Sequence, residues 1–137
     1  MVKSLKILYY IGLWLPVFAW CSFIFFLSGI PDLKIEQLGI LDLLLRKAAH
    51  VTEYFVLSLL LARALHGTRP ADMPDAGIIF WGLFLSIVYA ASDEYHQFFV
   101  PGRIASLRDM LIDSCGALAG SFVYWRHRTA GYVRRNE

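Results

Sequence analysis

The sequence predicts an all-α polytopic membrane protein, a bundle of four transmembrane helices forming one domain over residues 1–137. Three observations carry that expectation. Hydrophobic residues fill 58% of the 137 positions and charged residues only 18%, against about a quarter charged in an ordinary soluble domain. No charged residue occurs from Ile7 to Pro31, and about 20 apolar residues suffice to cross a hydrocarbon core of roughly 30 Å. Further apolar runs follow, divided by segments rich in proline, glycine or charge. A soluble bundle with an apolar core is the alternative fold, and the uncharged opening stretch argues against it.

The first span is expected over Ile7–Ser28. Lys3 and Lys6 precede it as a charged leader would, but the apolar run is too long for a cleaved signal peptide and no small-residue site closes it. Cys21 follows the bulky Trp20, which does not suit a lipoprotein cleavage site, so a retained span is expected. Pro16 lies inside it, where the freed carbonyl needs a partner from a neighbour or water. After Ser28-Gly29-Ile30-Pro31, the stretch PDLKIEQLGILD mixes apolar and charged residues. That mixture suits an interfacial segment between helices 1 and 2.

The second span is expected over Leu43–Leu65, with Arg46, Lys47, His50 and Glu53 in its first part and the clean run YFVLSLLLA after them. The loop HGTRPADMPDAG reads as a turn region from its prolines and glycines. The third span, Gly77–Phe99, carries no charge until Asp93. Pro101-Gly102 marks a tight turn, since proline presets one backbone angle and glycine admits a positive one. Ser106 is placed to cap the fourth span, with Asp109 in the acidic capping position three residues on. That span runs to about Trp125 and holds Asp109 and Asp113.

Bases collect on the cytoplasmic side of membrane proteins. Lys3 and Lys6, Arg63 and Arg69, and the arginines after Trp125 share one side if the chain crosses four times. The expected orientation is therefore N-in and C-in. The small net charge of +2 and the terminal placement of the bases give no sign of a nucleic-acid partner. Cys21 and Cys115 lack zinc-type spacing, and no cofactor motif or metal site is expected.

Helical rise then places the polar residues. At 1.5 Å per residue, His50 and Glu53 lie about 6–10 Å below the outer boundary, Asp93 about 9 Å and Asp113 about 10 Å. Lys47, His50 and Glu53 or Tyr54 are three or four residues apart and share a face. Asp93 and Gln97 share another, with Glu94 and His96 beside them, and Asp109 and Asp113 stand one turn apart on the next helix. Three helices thus deliver polar groups to one outer level, where unpaired charge is expensive and tends to be functional. Gly116 and Gly120 form a small-xxx-small pair suited to close helix contact.

The same stretches resemble the VanZ-like family of small membrane proteins. Its Lys-x-x-His-x-x-x-Tyr segment corresponds to Lys47, His50 and Tyr54. Its Asp-Glu-x-x-Gln segment corresponds to Asp93, Glu94 and Gln97, and its Pro-x-Arg and downstream Asp to Pro101, Arg103 and Asp109. Glu53 and His96 fall outside that pattern. The resemblance implies a multi-pass protein of the inner (cytoplasmic) membrane of a bacterial envelope, with a link to lipoglycopeptide (teicoplanin-type) resistance. It implies no settled chemistry.

The candidate site is therefore Lys47, His50, Glu53, Tyr54, Asp93, Glu94, His96, Gln97, Arg103, Asp109 and Asp113. The first reading is a pocket for a membrane lipid head group or lipid-linked envelope precursor, with Lys47 and Arg103 meeting phosphate. The second is an intramembrane acid/base or metal-assisted enzyme acting on such a lipid, with His50 or Glu94 as general base. Against it stand the absence of HExxH, the weak metal spacing and the lack of a nucleophile motif. The third is a structural subunit whose polar groups brace helix ends, Arg103 pairing with Asp109 or Glu94. Ion passage is disfavoured, because no ionisable relay continues below the polar layer.

Overall fold

Backbone groups in hydrocarbon must be satisfied within a helix or a closed barrel, and long unbroken apolar runs, lacking the alternation of barrel strands, become helices. The computed structural model describes residues 2–31, 38–103 and 105–133 and contains four helices, with no strand among the described residues. They are α1 (Val2–Ser28), α2 (Ile40–Thr68), α3 (Asp75–Gln97) and α4 (Leu107–Val133). The interfacial segment expected between the first two falls mostly on residues 32–37, outside the described residues.

Each helix overruns its expected apolar span at one end or both, α1 starting at Val2 rather than Ile7. Helical hydrogen bonding does not stop where the hydrocarbon would. Helices α1, α2 and α3 are long and apolar enough to cross a membrane. Helix α4 matches α1 at 27 residues. Arg108, Asp109 and Asp113 near one end, with Arg126 and Arg128 near the other, leave it no equally apolar stretch.

The helices alternate in direction, since contacts join the end of α1 to the end of α3 and the start of α2 to the start of α4. Helix α2 is central. It packs against all three others, most extensively against α4, whereas α1 barely meets α3. The core is built largely from α1 and α2, with Leu13, Val17, Ile24, Tyr54, Leu57 and Leu61 joined by Ala90 and Ala117. Outward-facing side chains are large and apolar, Phe18 and Phe26 being 64% and 66% exposed. That is the pattern of a lipid-facing surface.

In lipid, close packing and interhelical hydrogen bonds hold helices together. A Cβ on Gly116 would lie 2.3 Å from the Val51 carbonyl oxygen, and one on Gly120 would lie 2.4 Å from that of Phe55. Only glycine lets α4 approach the α2 backbone so closely. Helix α1 is stitched on by side chains instead. Trp20 Nε1 donates to the Glu53 carbonyl at 2.9 Å, and Tyr89 O–H to the Cys21 carbonyl at 2.6 Å. Pro16 cannot donate to the Gly12 carbonyl, and Arg63 reaches that carbonyl across the helix boundary at 3.4 Å.

Candidate functional site

The polar groups gather where α1 and α3 end and α2 and α4 begin. Val100–Arg103 forms a turn in which Gly102 has φ 80° and Arg103 N–H returns to the Val100 carbonyl at 3.1 Å. The turn aims Arg103 at α1. Its Nε donates to the Ile30 carbonyl at 3.2 Å, and its Nη2 to that of Leu27 at 3.0 Å. The guanidinium therefore caps two carbonyls at the end of α1, that of Leu27 also accepting from Ile30 N–H at 3.2 Å, and the expected brace from Arg103 to Asp109 or Glu94 is not formed. A planar fork with fixed donors suits two diverging carbonyls.

Ser106 does cap α4, its Oγ accepting from Arg108 N–H at 3.2 Å. Asp109 does not fold back to complete a capping box. It reaches across to α2 and pairs with Lys47 Nζ. The Ser106 N–H is taken from another helix, by Glu94 Oε2 at 2.7 Å. That places a carboxylate at the positive end of the α4 dipole. The second oxygen of Glu94, Oε1, is buried without a hydrogen-bond partner among the described residues.

One turn below the Lys47–Asp109 pair, His50 Nδ1 lies 3.2 Å from Asp113 Oδ1. The contact is off line for a hydrogen bond, and both Asp113 oxygens are buried with no such bond among the described residues. The Asp113 side chain has no solvent exposure. On the α1 side, Asp93 accepts from Ser28 Oγ at 2.6 Å and from Gln97 Nε2 at 2.9 Å.

These groups border two cavities. One, of about 220 Å³, is lined by Arg46, Lys47, His50, Gln97, Arg103 and Asp109. The other, of about 100 Å³, lies toward α1 and is lined by Ser28, Arg46, His50, Glu53 and Arg103. Arg46, His50 and Arg103 belong to both.

Of the residues singled out from sequence, Lys47, His50, Gln97, Arg103 and Asp109 line the larger cavity, and Glu53 only the smaller. Asp113 backs His50, and Asp93 backs Gln97. Glu94 borders a separate, mostly apolar groove of about 390 Å³ with Tyr95, Phe98, Leu107 and Met110. His96 stands apart, its ring centroid 4.1 Å from that of Phe25 on α1 and its Nδ1 unpartnered among the described residues. Tyr54 is wholly buried, its hydroxyl likewise unpartnered and its ring 6.5 Å from that of Tyr89.

Arg46 and Ser28 were not among the sequence candidates. Arg46 is legible in retrospect, because Asp42 stands four residues before it and the two pair at 2.8 Å. Nothing in the local spacing ties Ser28 to Asp93, 65 residues away. Among the described residues there is no cluster of three or more His, Cys, Asp or Glu side chains fit to hold a metal ion.

Four helices with lipid-facing exteriors and polar groups gathered at one end define an all-helical membrane protein. Residues 7–128 match the VanZ/LLP1 family, and the chain belongs to it. No curated protein and no solved structure matches the chain.

Proposed function

We propose that the chain is a multi-pass protein of the bacterial cytoplasmic membrane, with both termini inside, whose larger polar cavity binds the phosphate-bearing head group of a membrane lipid or lipid-linked envelope precursor. One observation carries this reading: Arg46, Lys47 and Arg103 line that cavity, and while Arg46 pairs with Asp42 and Lys47 with Asp109, the Arg103 guanidinium is held by backbone carbonyls and brings a positive charge without a carboxylate of its own among the described residues. Three bases beside two paired acids leave one positive charge in excess, which suits an anion. Arginine offers a fork of donors and lysine a point charge, the two usual ways of holding phosphate. The base-poor side of the membrane, by the positive-inside bias, is the side on which this cavity would open.

A lipid-linked envelope precursor presents a phosphate at that depth, and the family's association with teicoplanin-type resistance fits a protein acting on or shielding such a precursor. The test is native mass spectrometry of the detergent-extracted protein. Wild type is expected to retain a phosphate-containing lipid, and the Arg46→Ala/Lys47→Ala double variant, still folded by thermal unfolding, to release it. Equal retention by both proteins, or none by wild type, would defeat the reading. Expression in a susceptible strain with a teicoplanin titration then tests the resistance link, which predicts a wild-type shift that the double variant lacks.

A further inference from the structure

The His50–Asp113 pair does more than neutral bracing requires. Asp113 is entirely buried, and His50 is the base within ion-pair distance of its carboxylate. An isolated carboxylate in such surroundings is costly, so the pair orients the imidazole with Nδ1 toward Asp113. Nδ1 is itself buried, while His50 borders both cavities. The ring therefore presents its Nε2 edge to the space that Arg46, Lys47 and Arg103 share. A histidine whose inner nitrogen faces a buried carboxylate at 3.2 Å, and whose outer nitrogen faces an anion site, has the layout of a general base beside an orienting group.

Resting on the head-group reading above, we propose that His50 is the catalytic base of a lipid phosphoester hydrolysis and that Asp113 is its positioning residue. His50 Nε2 takes a proton from water as the water oxygen bonds to phosphorus. The bond from phosphorus to one ester oxygen breaks, and that leaving oxygen receives the proton from Nε2. One water is consumed, one alcohol leaves, and the phosphate keeps its remaining substituents. Arg46, Lys47 and Arg103 offset the charge that builds on the phosphoryl oxygens, where positioning and electrostatics supply most of the catalysis.

The experiment uses the full-length protein in lipid nanodiscs, with phosphatidylglycerol and a polyprenyl diphosphate as separate probes, in water enriched in oxygen-18. Wild type is expected to release an alcohol or phosphate product from one of the probes, with one heavy oxygen on phosphorus per turnover. His50→Gln should lower the rate by about 100-fold or more while lipid retention in native mass spectra stays within about twofold of wild type. Asp113→Asn should lower kcat, leave KM unchanged and displace the limb of the pH–rate profile set by His50, which a purely structural role would not move. Wild type that retains lipid yet incorporates no heavy oxygen overturns the assignment and leaves head-group binding standing. Loss of both retention and turnover overturns both. If His50→Gln fails to fold, His50→Asn takes its place, and wild-type incorporation is decisive without any variant.

Discussion

Gly116→Ala puts the smallest side chain where α4 meets the α2 backbone. Its Cβ would sit 2.3 Å from the Val51 carbonyl oxygen and 3.0 Å from the carbonyl carbon. An ordinary contact is about 3.5 Å, so the helices must part by about 1 Å, and a backbone oxygen cannot swing aside as a side chain would. Forced overpacking of this kind costs about 1–3 kcal/mol. At about 4 °C per kcal/mol for a domain of this size, the midpoint of thermal unfolding in detergent should fall by about 4–12 °C. The Lys47–Asp109 and His50–Asp113 contacts straddle the same interface and should loosen with it. Gly12→Ala is the control, because its Cβ would meet nothing within 4 Å. It should leave the midpoint unchanged or raised, alanine being the better helix former. A Gly116→Ala protein that melts within about 1 °C of wild type, far inside the shift expected from overpacking, would refute the close approach of α4 to α2.

Asp93→Ala strands Gln97 Nε2 and leaves Ser28 Oγ only the Phe25 carbonyl at 3.2 Å; a loss of about 1–3 kcal/mol is expected in equilibrium unfolding, with Asp93→Asn milder because it keeps an acceptor. Arg103→Lys cannot serve the Leu27 and Ile30 carbonyls together, so hydrogen exchange at Gly29 and Ile30 should quicken while exchange in mid-α1 stays slow. Glu94→Gln retains an acceptor for Ser106 N–H but removes the charge at the start of α4. It should cost about 0.3–1 kcal/mol, read by thermal unfolding, and Glu94→Ala should cost more.

The helices were legible because a charge-free run of this length has few other ways to satisfy its backbone. Their ends were less so: α4 continues to Val133 rather than stopping near Trp125, since its arginines and polar residues are as tolerant of helix as the apolar ones. In the polar cluster, spacing within a helix gave the stripes, Lys47 with His50 and Asp109 with Asp113. Those two stripes do face each other, rung against rung. Pairings across helices depend on how the turn at Pro101-Gly102 directs the chain, and no periodicity encodes that. Hence Arg103 goes to α1 carbonyls rather than to an acid, and Glu94 displaces Asp109 from the capping role. His96, one residue before Gln97, falls about 100° round α3 from it and packs against Phe25 of α1.

Helix α1 owes its place beside α3 to very few links, chiefly the Ser28–Asp93 bond, the Arg103 cap and the Tyr89–Cys21 bond. Two of the three sit at the mouth of the smaller cavity. Apolar packing scarcely tells a neighbouring helix from a lipid tail, so directional bonds are what decide whether that seam stays shut. The first helix is thus held to α3 more by a polar latch than by packing. On the proposed head-group reading, a lipid arriving sideways through the seam would have to outbid Ser28 and the α1 carbonyls for Asp93 and Arg103 before it reached His50.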